Sequence, residues 1–235
     1  MASGIFLPER SKMTVALEFL KTIPYFLDLG PAELESIRAL VFHKVARRGE
    51  LIAIEGEPAD SLYFVASGAV KVFKTSVQGR EQILTIVRPG EAFNDVAVFD
   101  GGPNPASAQA MGQVLLYGIK REDVEVLLRN HPRIALNVVK VLAARVRNLV
   151  SLVEDLSFRT VVGRVARILL EHAEGKAGQR PWLTQHEMAA MAGTVREVVG
   201  RSLKTLEEEG AIKLDRHRII IINKKILEEK MGAAV

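Results

Sequence analysis

The sequence predicts an α+β fold made of an N-terminal antiparallel β-barrel or jelly roll, a long dimerisation helix and a C-terminal winged helix-turn-helix. Three observations predict it. Short apolar runs separated by Gly, Pro and Asp fill the first half, a heptad stripe follows, and two short helix signals joined by a glycine lie near the C-terminus. The expected division is 1–131 for the roll with its leading helices, 132–158 for the central helix and 159–235 for the winged helix-turn-helix.

From the N-terminus, amphipathic helical segments run from Val15 to Leu29, broken at Pro24, and from Pro31 to Val41. Strands are then expected at Leu51–Ile54, Ser61–Val65, Ala69–Lys74, Gln82–Val87 and Gln113–Ile119. Gly49, Gly56, Gly68, Gly79 and Gly90 punctuate this region every seven to twelve residues, a spacing that suits an antiparallel roll and not a parallel nucleotide-binding sheet. None of these turns matches a phosphate loop or a dinucleotide fingerprint, so a kinase, ATPase or dehydrogenase has no support.

A helix from Pro132 to Leu156 comes next. Ala135, Val139, Leu142, Val146, Leu149, Val153 and Leu156 recur at alternating spacings of four and three, a seam suited to a two-stranded coiled coil with a second copy of the chain. Arg145, Arg147 and Asn148 are read as its solvated side.

The segment from Thr184 to Arg201 carries the helix-turn-helix signal. Thr184 precedes Glu187 by three residues and Thr194 precedes Glu197 by three, so each helix is expected to open with a capping box. Gly193 supplies the positive φ of the turn, and Met188, Ala189, Ala192, Val195, Val199, Leu203 and Leu206 are the apolar positions that lock the pair. Arg196, Glu197, Arg201 and Lys204 fall on the polar face of the second helix.

That face suits DNA. Arg bonds guanine O6 and N7 in a bidentate manner and Glu accepts from cytosine N4, each good bidentate pair being worth roughly 1–3 kcal/mol of discrimination. Base reading is therefore assigned to Arg196, Glu197 and Arg201. Phosphate contact is assigned to Thr184, His186, Thr194 and Lys204, and to Arg216, His217 and Arg218 at the tip of a hairpin over Ala211–Ile222 that follows the helix-stopping Gly210. The plainer alternative has Glu197 closing its capping box and pairing with Arg201, an interaction worth about 0.2–0.5 kcal/mol. For the hairpin tip, it has the three basic residues keeping an aggregation-prone strand soluble.

Composition agrees with a polyanionic partner. Of 235 residues, those from 159 onward hold 14 Lys/Arg against 10 Asp/Glu, whereas 1–158 balance at 18 and 18, so the net charge of +4 belongs to the reading region. Cysteine is absent, which excludes disulfides, thiolate zinc sites and cysteine-held iron–sulfur clusters. Asp95, Asp100 and the scattered histidines form no nucleophile, metal or paired-carboxylate pattern, so no enzyme and no metal site are expected. No apolar run has the length of a membrane span, and the first ten residues lack a signal pattern; a cytoplasmic protein without a membrane partner is the expectation.

The order of parts and several strings resemble the cyclic-AMP receptor/fumarate-nitrate regulator (CRP/FNR) family of bacterial transcription factors from Phe26 to about Ile222. The strings are Gly49-Glu50, Gly56-Glu57-Pro58-Ala59-Asp60, Leu62 to Gly68, Pro89-Gly90-Glu91-Ala92-Phe93 and the helix-turn-helix. The resemblance implies a double-stranded β-helix of the cyclic-nucleotide-binding kind, a dimer, a bent operator, activation in preference to repression, and RNA polymerase as a partner. It also matches Arg196, Glu197 and Arg201 to the base-reading residues of the cyclic-AMP receptor branch, implying TGTGA-like half-sites, whereas the oxygen-sensing branch has serine where Gly200 stands.

The chain departs from that family at the effector site. The family's cassette grips ribose and cyclic phosphate with a Gly-Glu pair and an Arg-Ser/Thr pair. Here the corresponding stretch begins Asn94-Asp95-Val96, and Pro105 and Ala106, followed by Ser107, stand in the arginine region. Leu149 and Val150 replace the polar pair that reaches adenine from the central helix. An anionic phosphate would lack its cation, so cyclic AMP is not the expected effector. Asn94, Asp95, Val96, Ala106, Ser107, Leu149 and Val150 remain the candidate effector pocket, with a structural role for the Asp95 loop as the competing reading. No cofactor is expected; the alternative is heme, with His43, His131, Met111 or Met191 as its ligands.

Overall fold

A computed structural model describes residues 15–173, 183–215 and 218–232. In chain order, helix α1 (Leu17–Thr22), a single tight helical turn (Pro24–Phe26) and helix α2 (Pro31–Leu40) lead into strands β1 (Phe42–Ala46), β2 (Leu51–Ala53), β3 (Ser61–Ser67), β4 (Val70–Thr75), β5 (Glu81–Val87) and β6 (Ala92–Phe93). Helix α3 (Asp95–Asp100), strands β7 (Ser107–Ala110) and β8 (Val114–Lys120) and helix α4 (Arg121–Asn130) complete the first part. The long helix α5 (Pro132–Phe158) is followed by α6 (Val161–Ala173), α7 (Gln185–Ala192), α8 (Arg196–Glu208), β9 (Ile212–Asp215), β10 (Arg218–Ile221) and α9 (Lys224–Gly232).

The roll consists of two four-stranded antiparallel sheets, ordered β1-β8-β3-β6 and β2-β7-β4-β5. Strand alternation builds two cores at once. Val65 of β3 and Val114 and Leu116 of β8 turn into the roll against Val70, Val87, Ala108 and Ala110. Leu62 and Phe64 of β3 and Ile119 of β8 turn outward to a helical layer with Leu20, Ile37, Val124 and Val138. Gly118 is needed between them, because a Cβ there would lie 2.3 Å from the Phe42 ring that covers strand β8.

Helix α5 changes surroundings along its length. Ile134 and Val138 join the helical layer, and Asn137 Nδ2 donates to the Leu27 carbonyl at 2.9 Å, tying the helix to the N-terminal segment. Farther on, Val146 and Val153 are 59% and 63% exposed, and Val139, Leu149 and Leu156 are exposed as well. Two seam positions depart from the expected stripe. Leu142 packs partly on the helical layer, and Leu156 touches the turn between α7 and α8.

The reading domain has its own core, built from Val165, Ala166 and Leu169 of α6, Met188, Ala189 and Ala192 of α7, Val199, Leu203 and Leu206 of α8, and Leu227 of α9. Val195, expected in this core, is 40% exposed. No helix among the described residues is long and apolar enough to cross a membrane.

Candidate nucleic-acid interface and effector region

Helix α7 opens as expected. The Glu187 amide donates to Thr184 Oγ1 at 3.2 Å and the Thr184 amide donates to Glu187 Oε2 at 2.7 Å, a complete capping box. Thr184 and His186 are exposed beside it. The helix closes at Gly193, φ 63°, where the amides of Gly193 and Thr194 both donate to the Ala189 carbonyl.

The second expected capping box does not form. Thr194 is taken up in closing α7, so it stands one residue too early to cap α8. The N-cap is Val195, extended at φ −110° and ψ 155°, and no side chain caps the helix. Glu197 is thereby left free of the capping role, and among the described residues it makes no ion pair with Arg201. Neither part of the plainer reading of Glu197 is realised.

Helix α8 buries Val199, Ser202, Leu203 and Leu206 and exposes Arg196, Glu197, Arg201 and Lys204. These four lie along one side of the helix, with Gly200 among them. A Cβ at Gly200 would come no closer than 4.0 Å to Gln185 Oε1, so the surface there is low but not crowded. Lys204 Nζ stands 3.7 Å from Glu208 Oε1, an exposed pairing of little energetic weight. Beyond α8, β9 and β10 pair antiparallel, with Arg218 opposite Asp215, giving the wing its stem. Arg218 is exposed at the end of that stem; Arg216 and His217 lie outside the described residues.

In the effector region it is Asp95 that the chain's own side chains engage. Asn94 takes a left-handed conformation, φ 67°, and its Nδ2 donates to the Ser61 carbonyl at 2.9 Å. The next residue, Asp95, is buried with its side chain 3% exposed. Arg145 Nη1 donates to both of its oxygens at 2.6 and 2.5 Å, Arg145 Nη2 donates to the Ala92 carbonyl, and the Tyr25 hydroxyl donates to Asp95 Oδ2. Burial, then the neighbouring carboxylate, push the Tyr25 hydroxyl well above the usual tyrosine range, so it stays a donor.

Arg145 is thus not part of a solvated side. Its aliphatic stem carries the guanidinium off α5 into the roll, where a buried carboxylate needs a counter-charge. Of the remaining candidate pocket residues, Ala106 is buried and Ser107 Oγ accepts from the Glu55 amide at 3.0 Å, while Val96, Leu149 and Val150 are exposed. The heme-ligand candidates are dispersed in role. His131 Nδ1 faces Glu33 Oε1 at 3.3 Å, His43 sits in β1 opposite Tyr117, and Met111 and Met191 join an apolar cluster between the roll and α7.

Sequence reasoning missed Tyr25 and Asp155. Asp155, buried near the end of α5, is paired by Arg167 of α6, and its Oδ1 lies 2.7 Å from Arg159 Nε without hydrogen-bond alignment. Tyr25 meets Asp95 across 70 residues, and no local pattern points to that pair. Asp155 stands off the heptad seam, between Val153 and Leu156 in sequence, so the heptad pattern did not single it out.

A roll joined by a long helix to a winged helix-turn-helix whose second helix exposes Arg, Glu and Arg defines a DNA-binding transcription regulator with a sensor-type domain. Residues 43–131 match the cyclic nucleotide-binding domain model, and residues 163–230 match the Crp-like helix-turn-helix domain model. The chain is 35% identical to the cyclic AMP receptor protein of Thermus thermophilus over 89% of this chain and 97% of that protein. It is 33% identical to the CRP-like cAMP-activated global transcriptional regulator of Mycobacterium tuberculosis over 78% and 85% of the two chains. Among solved structures, FixK2 of Bradyrhizobium japonicum superposes with a TM-score of 0.74 at 26% identity, covering 83% of this chain and 99% of FixK2. The chain belongs to the CRP/FNR family of transcription regulators. Its work is the regulation of transcription through DNA binding, not catalysis.

Proposed function

We propose that the protein is a cytoplasmic homodimer that reads a palindrome of TGTGA-like half-sites and activates transcription through contact with RNA polymerase, without cyclic AMP as its obligatory effector. The observation that carries the reading is the side of α8 on which Arg196, Glu197 and Arg201 stand exposed, with neither a capping role nor, among the described residues, an ion pair to occupy Glu197. Arg196 and Arg201 read guanine and Glu197 reads cytosine, while Thr184, His186, Thr194, Lys204 and the basic wing tip of Arg216, His217 and Arg218 hold phosphate.

Dimerisation is supported by the exposed run of Val139, Val146, Leu149 and Val153 on one stripe of α5, which a second copy would cover. Two-fold symmetry then sets two recognition helices about 34 Å apart on the duplex. The two relatives named above are described as cyclic-AMP proteins, but two features of this chain weigh against that ligand. Pro105 and Ala106 bring no cation, and Asp95, the acidic group of the cassette, is already engaged by Arg145 and Tyr25. A ribose hydroxyl would reach that carboxylate only by displacing the charge-assisted bonds from Arg145 and Tyr25.

The test is selection from a randomised duplex library at fixed salt, first without ligand and then with cyclic AMP. Enrichment of a two-fold TGTGA-like site by the ligand-free protein is the expected result. Enrichment only after cyclic AMP is added would reject the effector reading, and enrichment of a site lacking two-fold symmetry would reject the dimer.

A further inference from the structure

The turn of the helix-turn-helix is wedged among three parts of the molecule. From the roll, Gln82 Nε2 donates to the Met191 carbonyl at 3.2 Å. Around that bond Ala69, Phe73, Ile83 and Ile86 bury Ala190, with Met191 packed alongside. From the central helix, Leu156 closes on the turn: a Cβ at Gly193 would lie 2.7 Å from Leu156 Cδ2 and 3.1 Å from Gln82 Oε1. Gly193 is therefore required by its positive φ and, separately, by the closeness of the two neighbouring parts.

A second tie lies underneath. Arg164 Nε of α6 donates to the Ala192 carbonyl at 2.7 Å, and its Nη1 donates to the Arg159 carbonyl at 2.6 Å, so one guanidinium joins the end of α7 to the residue that follows α5. Arg167 adds its pairing with Asp155 and donates to Ser151 Oγ at 3.0 Å. None of these contacts uses Arg196, Glu197, Arg201 or Lys204. The side of α8 bearing Arg196, Glu197, Arg201 and Lys204 stays exposed.

From this arrangement we propose that Gln82, Gly193 and Leu156 form a latch that orients the reading domain on the roll without an effector, and that the latch sets which half-site separation the dimer accepts. The latch covers Ala190, Met191 and the Gly193 turn and leaves the base-reading side of Arg196, Glu197 and Arg201 exposed. Gln82 acts through the position of α8, so it is a positioning residue. The half-site claim rests on the dimeric, palindrome-reading function proposed above; the latch itself does not.

The test compares the full-length protein with Gln82→Ala and with Ala190→Gln, which would force α7 off the second sheet, on palindromes whose half-site separation is varied by one base pair in either direction. The variants should lose on the order of tenfold in affinity for the best separation and discriminate less among separations, with dimer mass unchanged. Variants that keep the wild-type separation profile, or that bind more tightly than wild type, would overturn the proposal. Amide exchange in the DNA-free protein tests the latch by itself. Faster exchange across residues 185–194 in Gln82→Ala is expected, and unchanged exchange would overturn the latch whether or not wild type selects a palindrome.

Discussion

The cluster around Asp95 and helix α8 make opposite use of the same chemistry. Both bring arginine and an acidic residue close together. In the roll, Arg145 and Tyr25 turn inward onto a buried carboxylate, and every strong bond is made within the chain. On α8, Arg196, Glu197 and Arg201 point outward from a helix whose buried side is anchored by Val199, Leu203 and Leu206. A satisfied cluster holds a fold together, whereas exposed side chains on a rigid helix are available to a partner.

The largest effect should come from breaking the inward cluster. Arg145→Leu leaves Asp95 buried without its counter-charge and should cost about 3 kcal/mol in urea unfolding. Adding Asp95→Asn should restore part of that loss. If the single and double variants were equally unstable, the pair would not be the source of the cost.

The outward side should respond in specificity and little in stability. Arg196→Ala should lose roughly 1–3 kcal/mol on the preferred operator and far less on random DNA. Lys204→Ala should weaken both alike and lower the salt slope by about one. Titrations at several salt concentrations check both, and equal losses on both DNAs for Arg196→Ala would remove it from base reading.

A smaller contrast separates the two threonines. Thr184→Ala removes a formed cap and should cost about 1 kcal/mol. Thr194→Ala removes no cap and should change stability by less than about 0.5 kcal/mol, a difference readable in thermal melts. Smallest of all in stability is Gly200→Ser, since the added Cβ meets only Gln185 at 4.0 Å. Its melting temperature should stay near wild type while the preferred half-site shifts, as measured by library selection.

Legibility followed the range of the interactions. The helix-turn-helix was readable because its signals are local: a threonine cap, a glycine turn and apolar residues at helical spacing. Its two local errors, the cap expected at Thr194 and the burial expected of Val195, arose where closure of one helix competed with the start of the next and left Val195 as the N-cap. Strands β3, β4, β5 and β8 were visible as apolar runs. Strand β7, Ser107–Ala110, was not, because its buried residues are Ala108 and Ala110, and alanine has little strand preference of its own. The two-residue β6 is too short for any pattern.

By itself, the sequence determined the order of the three parts, the second helix of the helix-turn-helix and the side chains it exposes, because period, caps and turn residues act within a few positions of one another. Tertiary structure alone decided the rest: that Arg145 leaves the central helix to neutralise Asp95, that Tyr25 completes the cluster, and that Gln82 and Leu156 close on Gly193. Those contacts join residues tens of positions apart. Their partners are chosen by the cost of an unpaired buried charge and by the space that folding leaves, neither of which is written in any local stretch of chain.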